Sequence, residues 1–189
     1  VKSVQELIAY ARAKPGTLNY GSSGNASSNH LAGELFRMLA KVDIVHVPYK
    51  GLPQAVTDLL GGRVQVVFGS PSSTLPSARD GKLKLLAVGS MKRSPMFPNV
   101  PTLHEAGLTN FDADTVFGFY APSGTPVAVI NKLNGALRAA LKDPAVAARM
   151  QDLGAVIVPE DKQTPEGLRT WLASEIDKWS PIIKAAGVK

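Results

Sequence analysis

The sequence predicts an α/β fold built on a parallel sheet. Three observations carry that expectation. Strand-like and helix-like stretches alternate with short links through residues 18–88, the order that gives a parallel sheet with right-handed crossovers. One strand-like stretch, residues 83–88, is almost continuously apolar, as suits a strand covered on both faces. Finally, three small polar stretches, residues 21–29, 48–51 and 69–74, fall at the carboxyl ends of predicted strands, the edge at which ligands sit in such sheets.

Each element has a local cause. Ser3 and Glu6 form a capping box. Val4, Leu7, Ile8 and Ala11 then recur at helical spacing, and Pro15-Gly16 ends the helix. No strand precedes it, so the chain is expected to enter in mid-fold. Residues 18–35 begin as a strand and end as a helix, and between Gly21 and His30 the only aliphatic side chain is Ala26. Glycines there permit positive φ and close approach of the backbone to a ligand. The serines and asparagines supply polar groups and caps. The helix that follows presents unpaired N–H groups and the positive end of its dipole, so the junction suits an anion. The same residues also serve simply to cap a helix. No Lys-Ser or Lys-Thr closes the loop, and Gly21 and Gly24 lack G-x-G-x-x-G spacing. A carboxylate is therefore at least as good a guest as a phosphate.

Leu31, Leu35, Met38 and Leu39 make the expected buried stripe of the helix after this loop. Residues 44–47 read as a strand running into Pro48-Tyr49-Lys50-Gly51. Pro53 suits the start of the next helix, which carries Ala55, Val56, Leu59 and Leu60 and stops at Gly61-Gly62. Residues 64–68 form a further strand, 69–74 a polar loop, 75–79 a short helix and 83–88 a strand. Pro95, Pro98 and Pro101 make 90–110 irregular, with a short helix over 102–106. A strand over 114–121 holds Phe117, Phe119 and Tyr120. Thr125 is the expected N-cap and Pro126 the first residue of a helix that turns Val129, Ile130, Leu133, Leu137 and Leu141 inward. Asp143-Pro144 starts a short helix closed by Gly154, and residues 156–158 read as a brief strand. Thr164-Pro165-Glu166 opens the last helix, with Leu168, Trp171, Leu172, Ile176 and Trp179 on its buried side and a kink or break at Pro181.

Composition narrows the function. Of 189 residues, 44% are hydrophobic and 19% charged, enough for a packed core of one large or two small domains. The net charge of +6 comes from scattered lysines and arginines rather than a basic run with aromatics, so nucleic acid is not the expected partner, while small anions are favoured. Without cysteine there is no disulfide or thiol chemistry. The histidines stand apart at 30, 46 and 104, which speaks against a zinc site. No apolar run has the length of a transmembrane helix. No leader opens the chain, so a secretion signal is expected to have been removed or never present.

His30, beside the polar loop, is a candidate donor to a carboxylate, or else a residue that packs at the junction. Tyr49 is a candidate to cover a ligand and Lys50 is the nearest cation. His46 reads as structural, Glu34 as a surface or capping carboxylate, Asp112 and Asp114 as turn residues, and Trp171 and Trp179 as core. Ser23 lies in no G-x-S-x-G elbow, and no carboxylate pair has a catalytic setting. Binding is favoured over turnover.

Several runs then converge on one resemblance: Leu18-Asn19-Tyr20-Gly21-Ser22-Ser23-Gly24-Asn25, His30-Leu31-Ala32-Gly33-Glu34, Val47-Pro48-Tyr49-Lys50-Gly51, Asp58-Leu59-Leu60-Gly61-Gly62-Arg63-Val64 and Ala121-Pro122-Ser123-Gly124-Thr125-Pro126. Together they resemble the substrate-binding receptors of tripartite tricarboxylate transporters, the Bug-type periplasmic proteins, over essentially the whole chain. The resemblance implies a periplasmic-binding-protein-like (type II) fold of two α/β lobes with a carboxylate-bearing solute held between them. By resemblance, residues 1–113 are the second, ligand-binding lobe and 114–189 the C-terminal part of the first. The implied ligand-binding residues are Ser22, Ser23, Gly24, Asn25, Ala26, Ser27, Ser28 and His30, bordered by Tyr49, Lys50 and Gly51 and by Gly69 and Ser70. The implied partners are a small organic acid and membrane transporter subunits, with no cofactor, no metal and no catalysis.

Family members carry a further segment ahead of Val1, so half of the ligand cage is expected to be missing. Apolar area left open in this way costs about 25 cal/mol per Å², so self-association is expected unless the chain is a fragment. Two other classes stay open on the residues alone: the effector-sensing domain of a transcription regulator, which needs a helix-turn-helix not seen here, and an anion-handling enzyme.

Overall fold

The computed structural model describes residues 1–187. The chain divides into two compact units. One comprises Val1–Thr115 together with the chain from Ile182 onward, the other Val116–Pro181.

The first unit is built on a three-stranded parallel sheet of order β2-β1-β3. β1 is Asn19–Ser22, β2 is Val45–Pro48 and β3 is Val66–Val67. Helix α1, Val4–Ala13, starts where Ser3 Oγ accepts the Glu6 N–H at 3.1 Å, as the capping box predicts, and buries Val4, Leu7 and Ala11. Helix α2, Ser28–Ala40, follows β1 and ends at Lys41 in the left-handed conformation. Helix α3, Leu52–Leu60, has Pro53 in its first turn and packs Leu52, Ala55 and Val56 against Tyr49, Val67 and Leu83.

The central place of β1 follows from its side chains. Tyr20 and Ser22 are fully buried. Gly21 and Gly33 let helices lie close: a Cβ at Gly21 would stand 3.0 Å from that of Ala55, and one at Gly33 would fall 2.2 Å from the Tyr20 ring. The α2 stripe departs from expectation, because Met38 is 47% exposed while His30, Glu34 and Phe36 are buried. The helix turns its polar N-terminal residues inward because Tyr20 offers them a partner there.

Helix α4, Pro71–Arg79, begins four residues earlier than the sequence suggests, with Pro71 in its first turn. Its N-cap is Ser70, so much of the expected loop is helical. Residues 83–88 form no strand. The segment has a single bridge, Val88 to Thr102, with the Leu103 N–H donating to the Val88 carbonyl at 2.9 Å. An apolar run becomes a strand only where a neighbour supplies a ladder, and only Val88 has one. Residues 102–106 close as a turn rather than a helix, although Thr102 Oγ1 and the Glu105 carboxylate cap each other's N–H groups at 3.0 and 2.8 Å.

The second unit is helical among its described residues. Helix α5 is Val127–Lys142, α6 is Pro144–Asp152 and α7 is Pro165–Ala185. Asp143 caps α6 by accepting the N–H groups of Ala145 and Val146, and Gly154 follows with φ +77°. Pro126, not Thr125, is the cap of α5, since the Thr125 hydroxyl donates to the Pro122 carbonyl instead. The last helix is continuous through Pro181, and Ile182 beyond it is buried in the first unit. Neither 114–121 nor 156–158 is a strand. Phe117 is 89% exposed and Phe119 81%. No residue of α5 is buried; Val129 and Leu133 are exposed, as are Leu172 and Ile176 on α7. These stripes have the spacing of buried faces, but an amphipathic face is buried only when a second layer lies on it.

Candidate functional site

The candidate site is the junction between β1 and α2. The parallel register sets Ser22 opposite Pro48 and Gly21 opposite Val67. The segments that follow all three strands therefore leave the sheet at one edge, and they carry Ser23 to Ser28, Tyr49 to Gly51, and Gly69 with Ser70.

The loop is held from inside. Ser22 Oγ accepts the Gly24 N–H at 3.1 Å, lies 3.0 Å from the Gly24 carbonyl and 2.6 Å from His46 Nε2. Ser27 Oγ donates to the Gly24 carbonyl at 2.7 Å and accepts the His30 N–H at 3.3 Å, capping α2. Gly24 has φ +128°, and Ala26, a residue with a Cβ, has φ +60°. That less favourable conformation directs the Ala26 N–H inward to His30 Nδ1 at 3.0 Å. Ser23 Oγ donates to Asn29 Oδ1 at 2.7 Å, and Asn29 Nδ2 donates to the Phe68 carbonyl at 2.5 Å, tying the loop to the end of β3.

Behind the loop lies an aromatic and ionic cluster. The rings of His30 and His46 stack with centroids 3.8 Å apart and planes 6° from parallel, and Tyr20 stacks on His46 at 5.0 Å. The Tyr20 hydroxyl donates to Glu34 Oε1 at 2.6 Å, and Arg37 reaches both Glu34 oxygens at 2.9 Å. Because His30 Nδ1 accepts, its proton sits on Nε2, which faces Glu34 Oε1 at 3.8 Å. Burial holds His30 below the usual imidazole range, with Glu34 acting in the opposite sense. Burial and then the neighbouring His30 push His46 down to about 4. Burial and the bond to Glu34 raise the Tyr20 phenol.

What remains for a guest is on the outside. Among the described residues, no protein acceptor pairs with the backbone N–H of Asn25, Ser28 or Asn29. Asn25 and Ser28 are exposed. Ser28 and Asn29 open a 13-residue helix and Asn25 lies two residues ahead of its cap, where the dipole favours negative charge. The arrangement can hold an oxyanion by hydrogen bonds.

The expected residues thus separate into two sets. Asn25, Ala26 and Ser28 face solvent, with Ser23, Gly24 and Ser27 half-buried. Ser22 and His30 are buried and occupied in holding the loop, which is a different place from the donor position expected of His30. Tyr49 donates its main-chain N–H to the Ser22 carbonyl at 3.1 Å, while its hydroxyl goes to Asp58 at 2.8 Å. Asp58 in turn binds Arg63 at 2.8 Å. Lys50 is exposed, its N–H directed to Gln54, and Gly51 caps α3. Ser70 caps α4, and Gly69 is fixed by the Thr74 methyl, which a Cβ there would meet at 2.6 Å.

Glu34 is no surface carboxylate; it is buried between Tyr20 and Arg37. The sequence held a signal for this, since His30, Glu34 and Arg37 fall at helical spacing on one face. The partnership of His46 with Ser22 follows from the register Tyr20 to His46, which sequence spacing does not supply.

Comparison with known proteins gives a consistent result. Residues 1–188 match the family model described as tripartite tricarboxylate transporter family receptor. Protein BugT of Bordetella pertussis is 36% identical over 187 residues, 99% of this chain and 56% of that protein. A UPF0065 protein of the tcbD-tcbE intergenic region of Pseudomonas sp. (strain P51) is 36% identical over 183 residues, 96% of this chain and 54% of that one. Among solved structures, R. palustris Rpa4515 with adipate superposes with a TM-score of 0.88 at 34% identity, covering all of this chain and 62% of that one. MatC (Rpa3494) from Rhodopseudomonas palustris with bound malate gives 0.81 at 32%, over 96% and 62%. The periplasmic binding protein BugD gives 0.81 at 32%, over 100% and 63%. The chain thus spans between half and two thirds of the length of these proteins.

Proposed function

The chain belongs to the tripartite tricarboxylate transporter receptor family, and from that premise we propose that it is a non-catalytic receptor for a small organic acid. It binds the solute in the periplasm and hands it to membrane transporter subunits. The observation that carries this reading is the set of N–H groups at Asn25, Ser28 and Asn29, which meet no acceptor among the described residues and lie at, or just ahead of, the helix N-terminus. Donors at a helix N-terminus suit a negatively charged carboxylate, and two structural neighbours carry adipate and malate. Ser22 Oγ stands 2.6 Å from His46 Nε2, but it is fully buried and also 3.0 Å from the Gly24 carbonyl, and both ring nitrogens of His30 face partners within the protein, which supports binding over turnover.

Residues 1–113 supply this loop as the second lobe, with Tyr49 to Gly51 and Gly69 with Ser70 along its border. Residues 114–189 return to the first lobe. No described helix is long and apolar enough to cross a membrane.

Calorimetric titration with a panel of mono- and dicarboxylates, adipate and malate included, tests the reading. Binding without consumption of ligand is expected. Ser28→Pro, which removes the Ser28 N–H at the first helical position, where proline is tolerated, is expected to weaken it by about 1 kcal/mol, roughly fivefold. Product formation, or indifference to every member of the panel, overturns the proposal. The exposed Phe117, Phe119 and Tyr120 also support self-association of this chain. Light scattering at micromolar concentration is expected to show a dimer or larger, and a uniform monomer refutes that part alone.

A further inference from the structure

The binding loop rests on two histidines that the receptor reading leaves without a task. His30 and His46 are stacked face to face, and each grips the loop by a different route. His30 Nδ1 accepts the Ala26 N–H directly. His46 Nε2 contacts Ser22 Oγ, which accepts the N–H of Gly24. The left-handed turn at Ala26 is what brings its N–H to the ring.

This geometry works with only one protonation state of His30. An imidazole nitrogen that accepts a hydrogen bond must be unprotonated. A proton added to Nδ1 turns acceptor into donor and sets it against the Ala26 N–H. A proton added instead to His46 places a cation on the face of the neighbouring ring at 3.8 Å. We propose that the His30–His46 pair is an acid-sensitive latch on the carboxylate loop: a proton taken up on His30 Nδ1 breaks the Ala26 bond, loosens residues 23–27, and lowers affinity for the organic acid. The proposal rests on the receptor reading for its consequence, though not for the loosening itself.

The charged and titratable groups around the pair are few. From β1 there is Tyr20, whose hydroxyl is engaged by Glu34. From α2 there are Glu34, 3.8 Å from His30 Nε2, and Arg37, which bridges both Glu34 oxygens. Glu34 attracts a proton to the pair, but its charge is already answered by Arg37. Phe68, from the end of β3, stands edge-on to Tyr20 and carries no charge. The balance keeps both imidazoles neutral near pH 7 and admits a proton as pH falls, since burial lowers both. The sign follows: the grip is complete above the ordinary imidazole range and is lost on acidification.

Two arms test this on the 189-residue chain. The first needs neither ligand nor variant. Amide hydrogen exchange of Ala26 and Gly24, corrected for the intrinsic pH dependence, is followed from pH 7 to about pH 4.5. Protection at these two amides is expected to fall by roughly tenfold while the amides of α1 hold theirs. Unchanged protection at Ala26 overturns the latch.

The second arm measures malate and adipate affinity over the same range in the wild type and in His30→Asn, whose Oδ1 replaces Nδ1 as acceptor without titrating. Whatever its affinity at pH 7, the variant is expected to follow ligand protonation alone, with the wild type falling about tenfold further. Identical profiles overturn the coupling to binding. If no member of the carboxylate panel binds at any pH, the receptor reading has failed, and the exchange arm still decides the latch.

Discussion

The two units of this molecule carry apolar stripes of the same kind and treat them oppositely. In the first, α2 and α3 lie on a sheet whose central strand is so enclosed that Tyr20 and Ser22 have no exposure. In the second, α5 shows equally regular spacing of Val129, Ile130, Leu133, Leu137 and Leu141, yet buries none of them. Periodicity states which face a helix would bury, and the presence of a second layer decides whether it does. The first unit has that layer and, with it, a loop held in one conformation. The second has helices and an extended aromatic segment, 116–121, without a ladder.

Two glycines sharpen the contrast, and the larger effect is expected at Gly33. It lies in the middle of α2, where a helix would ordinarily prefer alanine by about 1 kcal/mol. A Cβ there would stand 2.2 to 2.8 Å from three atoms of the Tyr20 ring. That ring cannot retreat, because it is fully buried, stacked on His46 and bonded to Glu34. Gly33→Ala is therefore expected to destabilise the first unit by about 3 kcal/mol, the upper end of overpacking costs. Thermal melting followed by circular dichroism checks this. Both tryptophans, Trp171 and Trp179, belong to the second unit, so indole fluorescence is expected to move less than the dichroism signal.

A smaller loss is expected from Tyr20→Phe. It removes the donor to Glu34 Oε1 but leaves Arg37 bonded to both carboxylate oxygens. The buried carboxylate keeps its charge partner, so the cost is that of one hydrogen bond to a charged group, about 1.5 to 3 kcal/mol. Urea denaturation at neutral pH reads it directly. An unchanged midpoint would mean that Arg37 alone satisfies Glu34.

These residues also show how far the sequence reaches. The loop between Gly21 and His30, a capping serine or asparagine within it and the convergence of three polar segments on one edge are legible, because each follows from local chemistry and strand order. Of Glu34 only the helical face shared with His30 and Arg37 is legible, since its burial depends on Tyr20 arriving from another element at 2.6 Å. The strand-like runs at 83–88, 114–121 and 156–158 were read from composition that is correct for strands. A strand is a property of a pair, however, and those runs meet no ladder beyond the bridge at Val88. Family resemblance carries the receptor reading, but the inward turn of Ser22 and His30 depends on strand register and packing that the sequence does not display.

The smallest effect, and the cleanest reversal of sign, is expected at Gly135. It sits inside α5 as Gly33 sits inside α2, but a Cβ there would meet nothing within 4 Å. With no packing to oppose it, only backbone entropy and helix propensity remain, and both favour alanine. Gly135→Ala is expected to stabilise the second unit by about 0.5 to 1 kcal/mol, raising the fluorescence-detected midpoint by a few degrees. The pair Gly33→Ala and Gly135→Ala thus applies one chemical change to two helix interiors and expects opposite outcomes. If Gly135→Ala instead destabilises the chain, that face of α5 is covered in solution, as self-association through the second unit requires. The substitution then becomes a probe of where the second copy sits, readable as a loss of the larger species in light scattering.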